Sequence, residues 1–308
     1  MDFFKNEMIA SNKAVGKYGV KFLDDYLMGI KQSDFIMIGA PTGTGKSNLA
    51  YQIAFDNAIN LNVHLFALEA DKDEPYRRRL YSEYSRWLKQ ATGKYEDYRD
   101  FVLGKFSDGV MVEQIEAEIV ERYHKLEIHY RDREFTLETL HDKLVEINDF
   151  GKCEMIILDH VDYFDILSDT NENYQVSEIM KLLRDINLTW GIPVILISHL
   201  RKKSNRKVKV PEIEDIYGTS NKQKQMKTVI LLAPDYENST PEDGLFSTFF
   251  CIPKDRMFGG THLIGACAFN SNIGAYEDRY KLCTSKDYGE TILPYDGRCP
   301  KWAKSAKW

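Results

Sequence analysis

Residues 39–47 read GAPTGTGKS, directly after the apolar run Phe35–Ala40 and directly before a segment of helical periodicity. This strand–glycine loop–helix order constrains the chain more than any other feature, because it aims a row of backbone N–H groups at one anion. Gly43 and Gly45 let the backbone curl so that those groups converge. Lys46 adds a positive charge suited to β- and γ-phosphates, and the Ser47 hydroxyl is a candidate ligand for Mg²⁺. The expected nucleotide contacts are Ala40, Pro41, Thr42, Gly43, Thr44, Gly45, Lys46, Ser47 and Asn48, with ATP (or another NTP or dNTP) and Mg²⁺ as the ligands. Counted back from Gly45, the first glycine of the usual pattern is Ala40, which requires only a negative φ there. The bland alternative is a glycine turn that holds no nucleotide.

Short apolar runs alternate with helix-period segments along the rest of the chain, as in a largely parallel sheet flanked by helices. The expected strands are 35–40 (FIMIGA), 62–68 (NVHLFAL), 154–158 (EMIIL), 193–197 (PVILI) and 228–233 (TVILLA). None alternates strictly, which suits strands covered on both faces. FSTFFCI at 246–252 and LIGACAF at 263–269 flank Gly259-Gly260 and predict a β-hairpin appended to the sheet edge. Leu137, Leu140, Leu144 and Ile147 predict a helix after Thr136, an N-cap residue; a second stripe runs from Val176 to Trp190 and stops at Gly191. Tyr81, Tyr84 and Trp87 share one face of a third helix over 74–90, read as core or subunit contact in preference to base stacking.

Two carboxylates end strands: Glu69 closes LFALE and Asp159 closes MIILD. Both fall at the edge that carries the glycine loop, so Asp159 is the expected metal carboxylate and Glu69 the expected base for an attacking water. His199 ends PVILISH at the same edge, placed to sense a γ-phosphate. Immediately after it, residues 201–209 read RKKSNRKVK, six basic side chains in nine positions within a chain of net charge −6. Arg201, Lys202, Lys203, Arg206, Lys207 and Lys209 are the expected DNA contacts, weighed against an ordinary solvated loop. Lys254 and Arg256, in IPKDRMFGG, are surface charges in an isolated subunit; in a ring they are placed to reach a neighbour's nucleotide.

With 308 residues, 43% hydrophobic and 29% charged, the composition excludes a disordered chain, and no apolar run approaches the ~18 residues that would span a bilayer. Five scattered cysteines without a CxxC pair argue against a disulfide framework or zinc ribbon, and the N-terminus lacks the features of a signal peptide. A reducing, cytoplasmic setting is the expectation, with no membrane partner.

The order GAPTGTGKS, LFALEA, MIILDHVDYF, VILISHLRK, EDIYGTSNKQKQMKTVILL and PKDRMFGG resembles the RecA-like hexameric replicative helicases of the DnaB class, over roughly residues 17–280. Within that class the DH and SHLRK look most like the mitochondrial Twinkle helicase and the helicase half of podophage primase-helicases. The resemblance implies a RecA-like P-loop NTPase core that forms a hexameric ring and moves on single-stranded DNA. It implies a bacterial or phage-infected cell, with a separate primase, loader or polymerase as candidate partners. Residue by residue, it makes Lys46 and Ser47 the phosphate and Mg²⁺ contacts, Asp159 the second metal ligand and Glu69 the base. His199 becomes the sensor, Arg256 a trans arginine finger with Lys254 its companion, and 201–221 the DNA loop. The chain departs from the family where Tyr217 replaces an arginine and Lys227 a common acid. It divides into a linker at 1–16 suited to docking on a neighbour, an ATPase domain at 17–283 and a tail at 284–308. The alternatives are a RecA/RadA-type recombinase or mediator, and a KaiC-like or loader ATPase.

Overall fold

The computed structural model describes residues 9, 12–131, 134–161, 164, 172–200, 209–216, 224–303 and 306. In chain order the elements are β1 (Ala14–Gly16), α1 (Lys21–Leu27), β2 (Ile30–Lys31), β3 (Phe35–Ala40), α2 (Lys46–Ala58), β4 (Val63–Ala67) and α3 (Glu74–Thr92). There follow α4 (Tyr98–Val102), α5 (Gly109–Arg122), β5 (Leu126–Tyr130), α6 (Leu137–Phe150), β6 (Met155–Asp159), α7 (Glu172–Trp190) and β7 (Val194–His199). The chain closes with β8 (Thr228–Thr240), β9 (Leu245–Asp255), β10 (Thr261–Asn270), β11 (Ala275–Lys286) and β12 (Thr291–Pro294).

Among the described residues, one sheet of ten strands organises the molecule, in the order β12-β11-β10-β9-β8-β3-β7-β6-β4-β5. From β8 to β5 the neighbours are parallel, and from β8 to β12 they are antiparallel. The parallel strands β3, β4 and β6 are buried along their whole length, which is why their sequences are apolar without alternation. One face packs against Leu49 and Ile53 of α2, Tyr81 and Tyr84 of α3, and Ile115 of α5. The other face packs against Leu140, Leu144 and Ile147 of α6 and Ile179 and Leu183 of α7. The aromatic stripe of α3 is therefore core, with Trp87 packed at its rim.

Local signals set the helix ends. Thr136 accepts a hydrogen bond from the Thr139 N–H in a capping box, and Gly151 closes α6 at φ 67°. Gly191, just beyond α7, is also left-handed at φ 65°.

Four differences from expectation concern the C-terminal half, one sheet edge and the N-terminal segment. The expected hairpin of β9 and β10 is present, but it belongs to a longer meander, because β8 runs on to Thr240 and β11 and β12 add two further strands. The segment after residue 284, expected to be a peripheral tail, supplies the edge strand β12, and Trp302 packs edge-on against Tyr26 at 4.9 Å and Phe22 at 6.0 Å. At the opposite edge lies β5, whose sequence LEIHY is too polar to stand out as a strand. Within the expected linker, residues 14–16 form β1, which pairs with β2.

Candidate nucleotide site

The parallel register builds the site. Ala40 at the end of β3 lies opposite His199 at the end of β7, and Ala67 of β4 lies opposite Asp159 of β6. Four strand ends therefore deliver the glycine loop, His199, Asp159 and Glu69 to one edge.

In the loop, Gly43 and Gly45 take φ values of 81° and 85°. A side chain at either would meet nothing within 4 Å, so glycine is required there by the left-handed backbone and not by crowding. Gly45 is the N-cap of α2, and no side chain caps that helix start. Its first N–H groups and its dipole are therefore available to an anion. Thr42, Lys46 and Ser47 lie on or just beyond this turn, and Asn48 accepts a hydrogen bond from Arg78 of α3 at 2.5 Å.

A connected run of polar contacts crosses the edge. Lys46 Nζ, nearly buried, lies 3.5 Å from Glu69 Oε2. Glu69 Oε2 lies 3.3 Å from His160 Nε2, which is 3.0 Å from His199 Nε2. His199 Nδ1 returns to the loop at Thr42 Oγ1, 3.5 Å away. His160 is buried and links the strand-end carboxylate to the strand-end histidine. In the sequence it is one letter of MIILDHVDYF; no spacing rule singles out a histidine beside an aspartate, and only the sheet register shows what it touches.

Asp159 is fully buried beside this chain of contacts. No well-formed hydrogen bond reaches either of its carboxylate oxygens, although the Ser47 hydroxyl is near enough to favour the charged form. Burial pushes its carboxyl up to about 6, with the charges of Glu69 and Glu74 adding to the rise, against the pull of Ser47 and Lys46. A buried carboxylate with two unsatisfied oxygens next to a hydroxyl suits a hard divalent cation, so Ser47 and Asp159 fit the Mg²⁺ expected there.

Other expected residues lie elsewhere. The Arg256 N–H donates to the carbonyl of Lys227 at 3.0 Å, and its guanidinium donates to the carbonyl of Lys224 at 2.6 Å. Lys227 in turn donates to Phe35, the first residue of β3. Arg256 and the neighbouring Lys254, which pairs with Val229, thus sit at the amino edge of the sheet. A six-residue strand separates that edge from the loop by roughly 17 Å. Burial, then the Arg256 charge, lowers the Lys254 ammonium's pKa. Lys209 forms an ion pair with Glu237, while Arg201, Lys202, Lys203, Arg206, Lys207 and Tyr217 lie outside the described residues. A cleft of about 1080 Å³ opens beside α2 and is lined by Asn48, Tyr51, Gln52 and Arg78, but not by Lys46, Glu69, Asp159 or His199. The charged cluster lies at the sheet edge, outside that cleft.

The Asp159 carboxyl gives a signed prediction. Its folded-state pKa is raised, so it favours the folded chain below about pH 4 and costs stability as pH rises through about 6. In EDTA, Asp159→Asn should therefore stabilise the chain at pH 7.5, by an amount on the order of 3 kcal/mol at most, and have little effect at pH 4. Thermal unfolding at the two pH values measures this; equal effects at both would mean the carboxyl does not titrate in between.

Comparison with known proteins places the chain in a family. Residues 17–278 match the family described as DnaB-like helicase C terminal domain. A "Probable replicative DNA helicase" from Trieres chinensis is 24% identical over 269 residues, covering 84% of this chain and 53% of that protein. Two solved structures share the fold at 16% identity over 89% of this chain. "The Structure Of A DnaB-Like Replicative Helicase And Its Interactions With Primase" has a TM-score of 0.67 and is covered over 65% of its length. The second, a solved ATPase domain, has a TM-score of 0.69 and is covered over 95%. A KaiC-like protein from Pyrococcus horikoshii fits less well, with a TM-score of 0.53 at 17% identity. The chain spans about half the length of the curated relative it matches. Because the family match spans residues 17–278, well over half of the chain, the chain belongs to the DnaB-like helicase C-terminal domain family.

Proposed function

We propose that this chain is the motor of a replicative DNA helicase, hydrolysing ATP in a ring of like subunits that moves on single-stranded DNA. The observation that carries the reading is the sheet edge on which Lys46, Glu69, Asp159, His160 and His199 meet, with Arg256 at the opposite edge. One edge supplies a phosphate loop, a metal carboxylate, a base and a link between them. The other supplies a second cation, Arg256, beyond the Lys46 of the first edge. Head-to-tail packing of copies brings the two together, and such packing closes into a ring when the rotation permits. A recombinase or a KaiC-like switch shares the core, but the family match extends through the Lys254-x-Arg256 element that the ring reading uses.

In this reading the N–H groups at the start of α2 and Lys46 orient the phosphates. Ser47 and Asp159 would hold Mg²⁺, which would supply charge neutralisation of the phosphates. Glu69 accepts the proton from the attacking water, and a phosphate that competes for Lys46 releases Glu69 from its ion pair for that task. His160 buttresses Glu69 on one side and His199, the last residue of β7, on the other, and in this reading His199 relays a change at the γ-phosphate position to the residues that follow it in the chain. The neighbour's Arg256 stabilises the transferring phosphoryl group. The setting is the cytoplasm of a bacterium or of a phage-infected cell. A hexameric ring and single-stranded DNA are the partners this needs, and a primase, loader or polymerase would act beside it. No described helix is long and apolar enough to cross a membrane.

Glu69→Gln should keep nucleotide binding and lose turnover, by about 10²–10⁴-fold for a missing general base. Hydrolysis at the wild-type rate would remove Glu69 from the mechanism. Neutralising Arg201, Lys202, Arg206 and Lys207 together should weaken single-stranded DNA binding and flatten its salt dependence. The log–log slope should fall by roughly 0.7 for each DNA phosphate that is no longer neutralised. A slope that does not change places the DNA on another surface.

A further inference from the structure

At the far end of β4 from Glu69, the edge strand β5 presents Glu127 and His129 on one face. Its alternate residues Leu126, Ile128 and Tyr130 pack into the core on the other. The parallel register sets Glu127 beside His64 of β4 and His129 beside Phe66. His64 Nδ1 lies 3.1 Å from His129 Nε2 and 3.6 Å from Glu127 Oε2, and His129 Nε2 lies 3.7 Å from Glu127 Oε1. In a tetrahedral zinc site with bonds of about 2.0–2.2 Å, neighbouring donor atoms are roughly 3.3–3.5 Å apart. The three separations bracket that value, so a small movement of the carboxylate suffices to close the site.

The two imidazoles are built in. His129 stacks on Phe66 with ring centroids 4.5 Å apart, and on the His64 ring at 5.4 Å. Each histidine side chain is only 9% exposed, whereas Glu127 is 64% exposed and free to swing in from solvent. Burial favours the uncharged form of both rings. Two neutral ring nitrogens facing each other share one proton at most, whereas a metal ion satisfies both lone pairs. A surface cleft of about 370 Å³, lined by Asn62, His64, Glu127, Glu146 and Lys152, gives an ion a way in and a water a place as fourth ligand. The other charged groups facing His129 are Lys143 and Glu146 of α6, which pair at 2.8 Å and largely cancel. His124, at the same cleft, already bonds the Glu121 carbonyl through Nδ1.

We propose that His64, Glu127 and His129 bind a zinc-class divalent cation that clamps the edge strand β5 to β4. Two imidazoles and one carboxylate favour zinc, cobalt or nickel over magnesium. Five residues along β4, roughly 16 Å, separate His64 from Glu69, so this ion is distinct from the one expected at Ser47 and Asp159.

The test uses the full chain stripped of metal, titrated with Zn²⁺ by calorimetry and with Co²⁺ by visible absorption. Because Glu69, His160 and His199 also bring donor atoms within 4.8 Å of one another, the titrations are run in a His160→Asn/His199→Asn background. One equivalent should still bind there, with a tetrahedral Co²⁺ spectrum. Adding His64→Asn and His129→Asn should weaken binding at least 100-fold, and Glu127→Gln at least tenfold. No zinc uptake in the background variant, or uptake indifferent to His64 and His129, would overturn the site. If the histidine variants do not fold by circular dichroism, the exposed Glu127→Gln decides alone, and an unchanged affinity and Co²⁺ spectrum count against the proposal.

Discussion

Backbone pairing among the parallel strands β3, β7, β6 and β4 is the constraint from which the site follows. The hydrogen-bonded register that sets Ala40 opposite His199 also sets Ala67 opposite Asp159. A slip of one residue in any of these ladders would turn the strand-end side chain to the other face of the sheet. Slippage is opposed by the cores on both faces: the same strands bury Ile36 and Ile38 on one side and Phe35 and Met37 on the other. The chemistry at the edge is thus held by hydrophobic packing several residues away. The cost is concentrated at Asp159, a fully buried carboxyl whose charged form is disfavoured until a cation shares it.

Much of this was legible in the sequence, because the features that build it are local. Unbroken apolar runs marked the central strands to within two residues at each end, apart from the long extension of β8, and Thr136 and Gly191 marked helix ends. The glycine loop carried its own geometry. What escaped had its signal in the tertiary register. β5 reads LEIHY, with two polar residues in five, and only its pairing with β4 makes it a strand. The partners that define His160's place, Glu69 and His199, lie 91 and 39 positions away in sequence. The extension of β8 through DYENST was hidden for a different reason. Beyond Asp235 its residues are mostly exposed, so no hydrophobic pattern announces them.

The two edges of the sheet divide the proposed catalytic parts. At the carboxyl edge Lys46, Glu69, His160, His199 and Thr42 form one connected run within the subunit, with Asp159 buried beside it. Lys254 and Arg256 are fixed at the amino edge by β9, whose register with β8 places Asp255 opposite Thr228. The Thr228 hydroxyl donates to the Asp255 carboxylate at 2.6 Å, which ties the end of β9 down beside Arg256. No rotation of the Arg256 side chain spans the length of β3, so in the proposed mechanism the arginine serves another copy's nucleotide.

That assignment is the centre of the account, and complementation tests it most directly. Arg256→Ala and Lys46→Ala subunits are each expected to hydrolyse ATP poorly, the first with nucleotide binding intact and the second without it. Mixed under conditions where subunit exchange is verified, they should regain a fraction of the wild-type rate, because one class of interface then joins an intact loop to an intact arginine. A mixture as inactive as either parent would contradict the account and leave Arg256 a structural residue at the base of β8.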